Sequence, residues 1–154
     1  MNEEDKVETR QLVPTVCPYC GCDCGLFVVV EGWIAKNIEY REEHPVSRGA
    51  LCPKGNAALE VVYHPDRLRY PMKRENGSWR RISWNEAIER IATRLKQIRD
   101  GYGANALGFL SSAKCTNEEN YLVQKFARAV MGTNNIDHCA RLCHAPTVAG
   151  LVQS

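Results

Sequence analysis

The chain has 154 residues, 44% hydrophobic and 25% charged, a globular composition that excludes a disordered or collagenous chain. Lysine and arginine total 20 against 18 acidic residues, and a formal charge of +2 offers no electrostatic footprint for nucleic acid or an anionic membrane. No apolar run nears the ~20 residues needed to cross a bilayer, and the acidic, polar start lacks the basic tip and apolar stretch of a secretory signal. A cytoplasmic protein is expected. Eight cysteines in that reducing compartment point to metal binding or chemistry rather than a disulfide scaffold.

Residues 1–14 read as a tail. Leu26 to Val30 and Trp33 to Tyr40 are strand-like, rich in β-branched and aromatic residues, with Glu31-Gly32 as a two-residue hairpin turn. Asn56 to Tyr63 reads as a short helix ended by His64-Pro65. Tyr70 to Arg74 and Trp79 to Ile82 form a second hairpin across Asn76-Gly77. From Ser83 the period becomes helical: Ser83 with Glu86 is a capping box, and Trp84, Ala87, Ile88, Ile91, Leu95 and Ile98 mark one apolar face up to a stop at Gly101.

Ala106 to Leu110 is expected as a buried strand, followed by a loop from Ser111 to Cys115. Thr116 with Glu119 caps a further helix that buries Leu122, Phe126, Ala129 and Val130 and runs to Met131-Gly132. Thr133 to Asp137 suggests another strand and Ala145 to Val152 another helix, which carries no stop signal before Ser154 and reads as continuing. This rhythm predicts a small β-rich subdomain over 15–65 and, over 66–154, the incomplete start of a parallel-sheet α/β domain.

Cys17, Cys20 and Cys24 follow C-x2-C-x3-C, and Cys52 comes after a 27-residue gap. Four thiolates hold either a tetrahedral zinc or a [4Fe–4S] cube. Structural zinc usually takes two close pairs, whereas three ligands from one loop plus a distant fourth suit a cube. Cys22 makes awkward C-x-C pairs on both sides and reads as a non-ligand. Near the end, Cys143 sits at the expected start of a helix, where amide groups and the dipole favour a thiolate. His144 follows, an imidazole able to take or give a proton. A Cys-His dipeptide taken alone is more often structural.

The cysteine pattern with Pro53-Lys54-Gly55 resembles the amino-terminal iron–sulfur segment of molybdopterin oxidoreductases. Ser111-Ser112, Thr116-Asn117-Glu118-Glu119-Asn120, Gln124 to Arg128 and Asp137 to His144 are similar to the formate dehydrogenase catalytic subunits of that superfamily. The resemblance implies that Cys17, Cys20, Cys24 and Cys52 bind a [4Fe–4S] cluster. It implies that Lys54 passes electrons between the cluster and a pterin, that Cys143 is a ligand of molybdenum or tungsten, and that His144 handles the proton from formate. The Ser111-to-Asn117 loop, with Ser111, Ser112, Lys114, Thr116 and Asn117, is expected to cradle a molybdopterin guanine dinucleotide; by its residues alone it is a capped turn. Cys115 and Cys139 read as small apolar fillers.

Those subunits are several times longer, and their later parts supply most of the dinucleotide contacts and an arginine that orients formate. The implied reading is a portion of a formate dehydrogenase catalytic subunit. It would oxidise formate to carbon dioxide at a Mo/W-bis-pterin centre and work with the rest of its subunit and an electron-accepting redox subunit. A stand-alone iron–sulfur electron carrier, a zinc-stapled module and a sibling molybdopterin enzyme with another substrate are the alternatives.

Overall fold

A computed structural model describes residues 10–153. Their contacts separate two units: one holds the residues up to Pro65 together with Lys114–Asn117, the other Asp66–Ala113 and the residues from Glu118 onward.

The first unit is built on a three-stranded antiparallel sheet of order β1-β2-β3, with β1 at Gln11–Val16, β2 at Gly25–Glu31 and β3 at Ile34–Tyr40. Of the expected tail, residues 1–9 lie outside the described residues, and 11–14 are strand instead. Pro14 lies within β1, an edge strand, where the missing N–H costs little. The central strand carries the burial, with Leu26 2% and Val29 3% exposed. The hairpin turn sits one residue later than expected, on Gly32 and Trp33, both at positive φ (55° and 66°). A bulge at Val29/Val30, which leaves Lys36 without a partner, accounts for the extra residue. Where one helix was expected there are two short ones, α1 (Pro53–Asn56) and α2 (Ala58–Tyr63), broken at Ala57. The Tyr63 hydroxyl accepts the Ala35 N–H at 2.9 Å and seats α2 on β3.

In the second unit, β4 (Met72–Glu75) and β5 (Ser78–Arg81) form the expected hairpin, with Asn76 and Gly77 both left-handed. Glu75 pairs with Arg80 at 2.7 Å and with Lys73. These partners, Arg80 first, pull its carboxyl from the usual 4.5 down to about 2. The folded pKa lies below the unfolded one, so this contribution is complete above pH 4.5 and is lost as pH falls through about 2. Amide exchange of the hairpin should accelerate across that window, and Glu75→Gln should flatten the dependence.

Helix α3 (Trp84–Tyr102) starts as predicted, with the Ser83 hydroxyl accepting the Glu86 N–H at 3.1 Å. It runs past Gly101 and ends at Gly103 (φ 85°), because a glycine that keeps helical angles does not stop a helix. Its apolar stripe is open, with Trp84, Ile88 and Ile91 more than half exposed. A 3-10 turn at Ala104–Ala106 takes the start of the expected strand, so β6 is Phe109–Ser111; it pairs in parallel with β7 (Ile136–His138), Leu110 opposite Asp137.

Helix α4 (Asn117–Lys125) continues as a π-helical stretch, Phe126–Met131, that ends at left-handed Gly132. The wider turn rotates the buried face. Ala127 and Met131 are buried, whereas the expected Leu122, Phe126 and Val130 stay 38–60% exposed. Buried Thr133 gives its N–H to Ala127 and its hydroxyl to Asn105, and Asn135 bonds the carbonyls of Asn105 and Leu107. The last helix, α5 (Ala140–Gln153), starts five residues earlier than expected and contains Pro146.

Candidate cluster loop and metal-ligand helix

Cys17 is buried at the end of β1, and its N–H donates to the Cys24 carbonyl at 2.8 Å, closing the eight-residue loop on itself. Inside the loop the Asp23 N–H reaches the Cys20 carbonyl at 3.3 Å, and Asp23 takes the left-handed φ of 47°. Cys52 caps α1. Buried Gly55 brings that helix close to Cys17: a Cβ there would lie 3.6 Å from the Cys17 sulfur. At the other end of the loop, Gly25 takes the Ser47 hydroxyl on its N–H at 3.1 Å, and a Cβ on Gly25 would fall on the His44 ring.

The four sulfurs are gathered closely enough to feel one another. Burial, then the charges of Cys17, Cys20 and Cys52, push the Cys24 thiol up. Cys52 moves the other way, lowered by the N–H groups of Gly55 and Lys54 and by the Lys54 ammonium. Cys52, easily ionised, beside Cys24, whose ionisation is resisted, is a pair that a cationic iron core would stabilise. Amide hydrogens aimed at sulfur are also the donors such clusters use to set their potential. The residues present therefore fit a thiolate-held cluster. Among the described residues, no three Cys, His, Asp or Glu side chains close around a single metal ion. Cys22 is exposed, and its thiol is pushed up by the hydrogen bond it donates to Cys20 and by the charges of Cys20 and Cys24.

Of the expected dinucleotide-cradling residues, Lys114, Thr116 and Asn117 fall in the first unit. The Asn117 Nδ2 donates to the Gly21 carbonyl at 3.0 Å and to the Asp23 carboxylate at 2.6 Å. Ser111 and Ser112 fall in the second. The Ser111 hydroxyl donates to Asn120, the Asn120 amide returns to the Ser112 carbonyl at 3.2 Å, and the Ala113 N–H points at the Cys139 sulfur at 3.2 Å. Cys139 is thus a hydrogen-bond acceptor for the loop after β6, not an apolar filler. The hydrogen-bonding roles of Asp23, Asn120 and Cys139 escaped the sequence reading. The one available signal was that Cys139 precedes Cys143 by one helical turn.

Cys143 is exposed and lies one turn inside α5, since the helix begins at Ala140 and not at Cys143. The Cys139 carbonyl accepts the N–H groups of Leu142 (3.0 Å) and Cys143 (3.3 Å), and the Cys143 thiol lies 3.4 Å from the same oxygen. Ahead of the helix, the His138 Nδ1 accepts the Ala140 N–H at 3.0 Å, which leaves Nε2 as the protonated nitrogen of the neutral ring. Pro146 has no N–H to give Leu142, and the Thr147 hydroxyl takes the Cys143 carbonyl at 2.7 Å. His144 follows Cys143 on the exposed helix surface. A thiol and an imidazole thus stand on neighbouring positions of an exposed helix surface.

Comparison with known proteins places both halves. The molybdopterin oxidoreductase Fe4S4 domain matches residues 10–64, and the molybdopterin oxidoreductase family matches residues 67–154. The F420-dependent formate dehydrogenase subunit alpha of Methanocaldococcus jannaschii is 45% identical over 92% of this chain. That of formate dehydrogenase 1 of Methanococcus maripaludis is 46% identical over 92% of the chain. The chain spans 20% of the length of each. Among solved structures, acetylene hydratase from Pelobacter acetylenicus superposes with a TM-score of 0.61 at 25% identity, over 87% of this chain and 19% of that one. A cluster domain over the four-cysteine unit, followed directly by a molybdopterin domain that takes in Cys143, leaves one assignment: the chain belongs to the molybdopterin oxidoreductases, enzymes whose cofactors are a [4Fe–4S] cluster and a molybdenum- or tungsten-bound molybdopterin.

Proposed function

We propose that this chain is the cluster-bearing and metal-ligating portion of a formate dehydrogenase catalytic subunit. The observation that carries the reading is the gathering of Cys17, Cys20, Cys24 and Cys52, with exposed Cys143 and His144 adjacent on α5. Relatives at 45–46% identity are formate dehydrogenase alpha subunits, which points to formate as the substrate. Fold alone does not choose it, since the acetylene hydratase shares the architecture. Eight cysteines, four of them in the spacing of a cluster site, suit a reducing cytoplasm. The rest of the catalytic subunit and an electron-accepting subunit complete the assembly, with no nucleic acid involved.

When bound, the molybdopterin metal, in its bis-guanine-dinucleotide form, supplies two-electron oxidation of formate and the cluster supplies one-electron outflow. Cys143 provides the thiolate ligand. Successive helix residues diverge by about 100°, so His144 flanks that ligand rather than covering it, placed to take a proton at Nε2 or Nδ1. Cys17, Cys20, Cys24 and Cys52 hold the cluster. Lys54 adds a cation beside Cys52, where charge and amide hydrogens favour the electron-rich state. Ser111, Ser112, Lys114 and Thr116 offer hydroxyls and charge to the dinucleotide.

Elemental analysis of the anaerobically purified complex tests this. Iron with molybdenum or tungsten, and formate-dependent dye reduction, is the expected result. Iron without either metal indicates an electron carrier, and zinc alone a structural module. Lys54→Ala should slow formate-driven cluster reduction, followed by stopped-flow absorbance, without loss of iron; an unchanged rate removes that role.

A further inference from the structure

We propose that Asn117 is a positioning residue for the iron–sulfur cluster, its carboxamide clamping the Cys20–Cys24 bend in the shape that presents both sulfurs to iron. This rests on the cluster reading above and assigns Asn117 to a different partner from the dinucleotide.

The carboxamide nitrogen of Asn117 meets two acceptors, the Gly21 carbonyl at 3.0 Å and the Asp23 carboxylate at 2.6 Å. The Gly21 carbonyl can only accept, so the nitrogen is the end of the amide that faces it and the orientation is decided by chemistry. A primary amide nitrogen carries two hydrogens, and both are spent. Asn117 therefore has only its own oxygen left for any cofactor. It offers a phosphate no side-chain donor.

The loop is shaped to receive this group. A Cβ on Gly21 would collide with the Asn117 Oδ1, so glycine there is the opening through which the carboxamide reaches the backbone. Asp23 sits in the left-handed region, a conformation that a residue with a side chain holds only when its surroundings enforce it. The other Asp23 oxygen, Oδ1, is buried and has no hydrogen-bond partner. Asn117 is thus the side chain that satisfies this carboxylate. One bond further on, the Cys24 carbonyl receives the Cys17 N–H at 2.8 Å. A linked series runs from Asn117 through Asp23 to Cys24 and Cys17, and three of its four members are a cluster ligand or next to one. Supporting contacts of this kind orient metal ligands, and hydrogen bonds and charge nearby set the potential of a cluster.

The test uses the complete enzyme, purified anaerobically. Asn117→Asp keeps the shape, removes both hydrogens and sets carboxylate against carboxylate. Iron loss to a chelator should accelerate about tenfold, the lower end of what supporting residues contribute to metal retention. The cluster midpoint potential, read by EPR-monitored titration, should shift. Adding Asp23→Asn to that variant restores a donor–acceptor pair with the roles exchanged and should recover most of the retention. If Asn117→Asp does not fold, Asn117→Ala, which adds no charge, carries the same comparison. Wild-type retention and potential in the single variant, or a double variant no better than the single, overturns the proposal. So does loss of molybdopterin with an unaltered cluster signal, which would return Asn117 to the dinucleotide. Wild-type enzyme without iron would instead sink the cluster reading itself.

Discussion

Cys143→Ala is expected to lower formate oxidation at least about 1000-fold, the scale on which removing a directly participating group acts, while iron content stays at the wild-type level. The two readouts separate because of where Cys143 sits. It is exposed, one turn into α5, and its sulfur touches the Cys139 carbonyl at 3.4 Å. Alanine is the better helix former, and exposed substitutions of this kind change stability by no more than about 0.5 kcal/mol. The four candidate cluster ligands belong to the other unit, so the substitution leaves their loop intact. Formate-dependent dye reduction, measured beside iron and molybdenum or tungsten content, decides the matter. A variant retaining activity would remove Cys143 from the metal.

Cys17→Ser should abolish the cluster. Cys17 is 5% exposed, and a Cβ on Gly55 would lie 3.6 Å from its sulfur. Serine fills nearly the same space, so the packing survives and the change falls on the ligand: a hydroxyl does not ionise near neutral pH and is a hard donor for iron. Iron and the visible charge-transfer absorption should both be lost. Binding energy at a structural metal site is also folding energy, so the three-stranded unit should melt at lower temperature. Cys22→Ser is the control. That thiol is exposed and its ionisation is resisted by Cys20 and Cys24, and its loss should leave iron unchanged. A wild-type iron content in Cys17→Ser would break the four-ligand set.

Both predictions start from residues visible in the sequence, because thiol chemistry and ligand spacing are local properties. Local signals also located both hairpins and the start of α3, where Asn76-Gly77 and Ser83 act through their nearest neighbours. They failed where the outcome depended on what lay alongside. Residues 11–14 read as tail, yet they form β1 with β2 lying alongside. The α4 apolar face was placed assuming an unbroken 3.6 period, and the π-helical stretch turned it towards Ala127 and Met131. Gly101 looked like a stop but keeps helical angles, and the left-handed residue is Gly103.

From the order of residues alone came the inventory of reactive atoms and their spacing: four thiols in the pattern of a cluster site, and a fifth followed by an imidazole. Which polar groups remain open to a cofactor was decided only by the folded chain. The Asn117 amide is used up on Gly21 and Asp23, 96 and 94 residues away, and the Cys139 sulfur takes an N–H from Ala113, 26 residues earlier. Hydrogen bonds between groups so distant along the chain form only where the backbone delivers both partners within about 3 Å, and no local periodicity encodes that meeting.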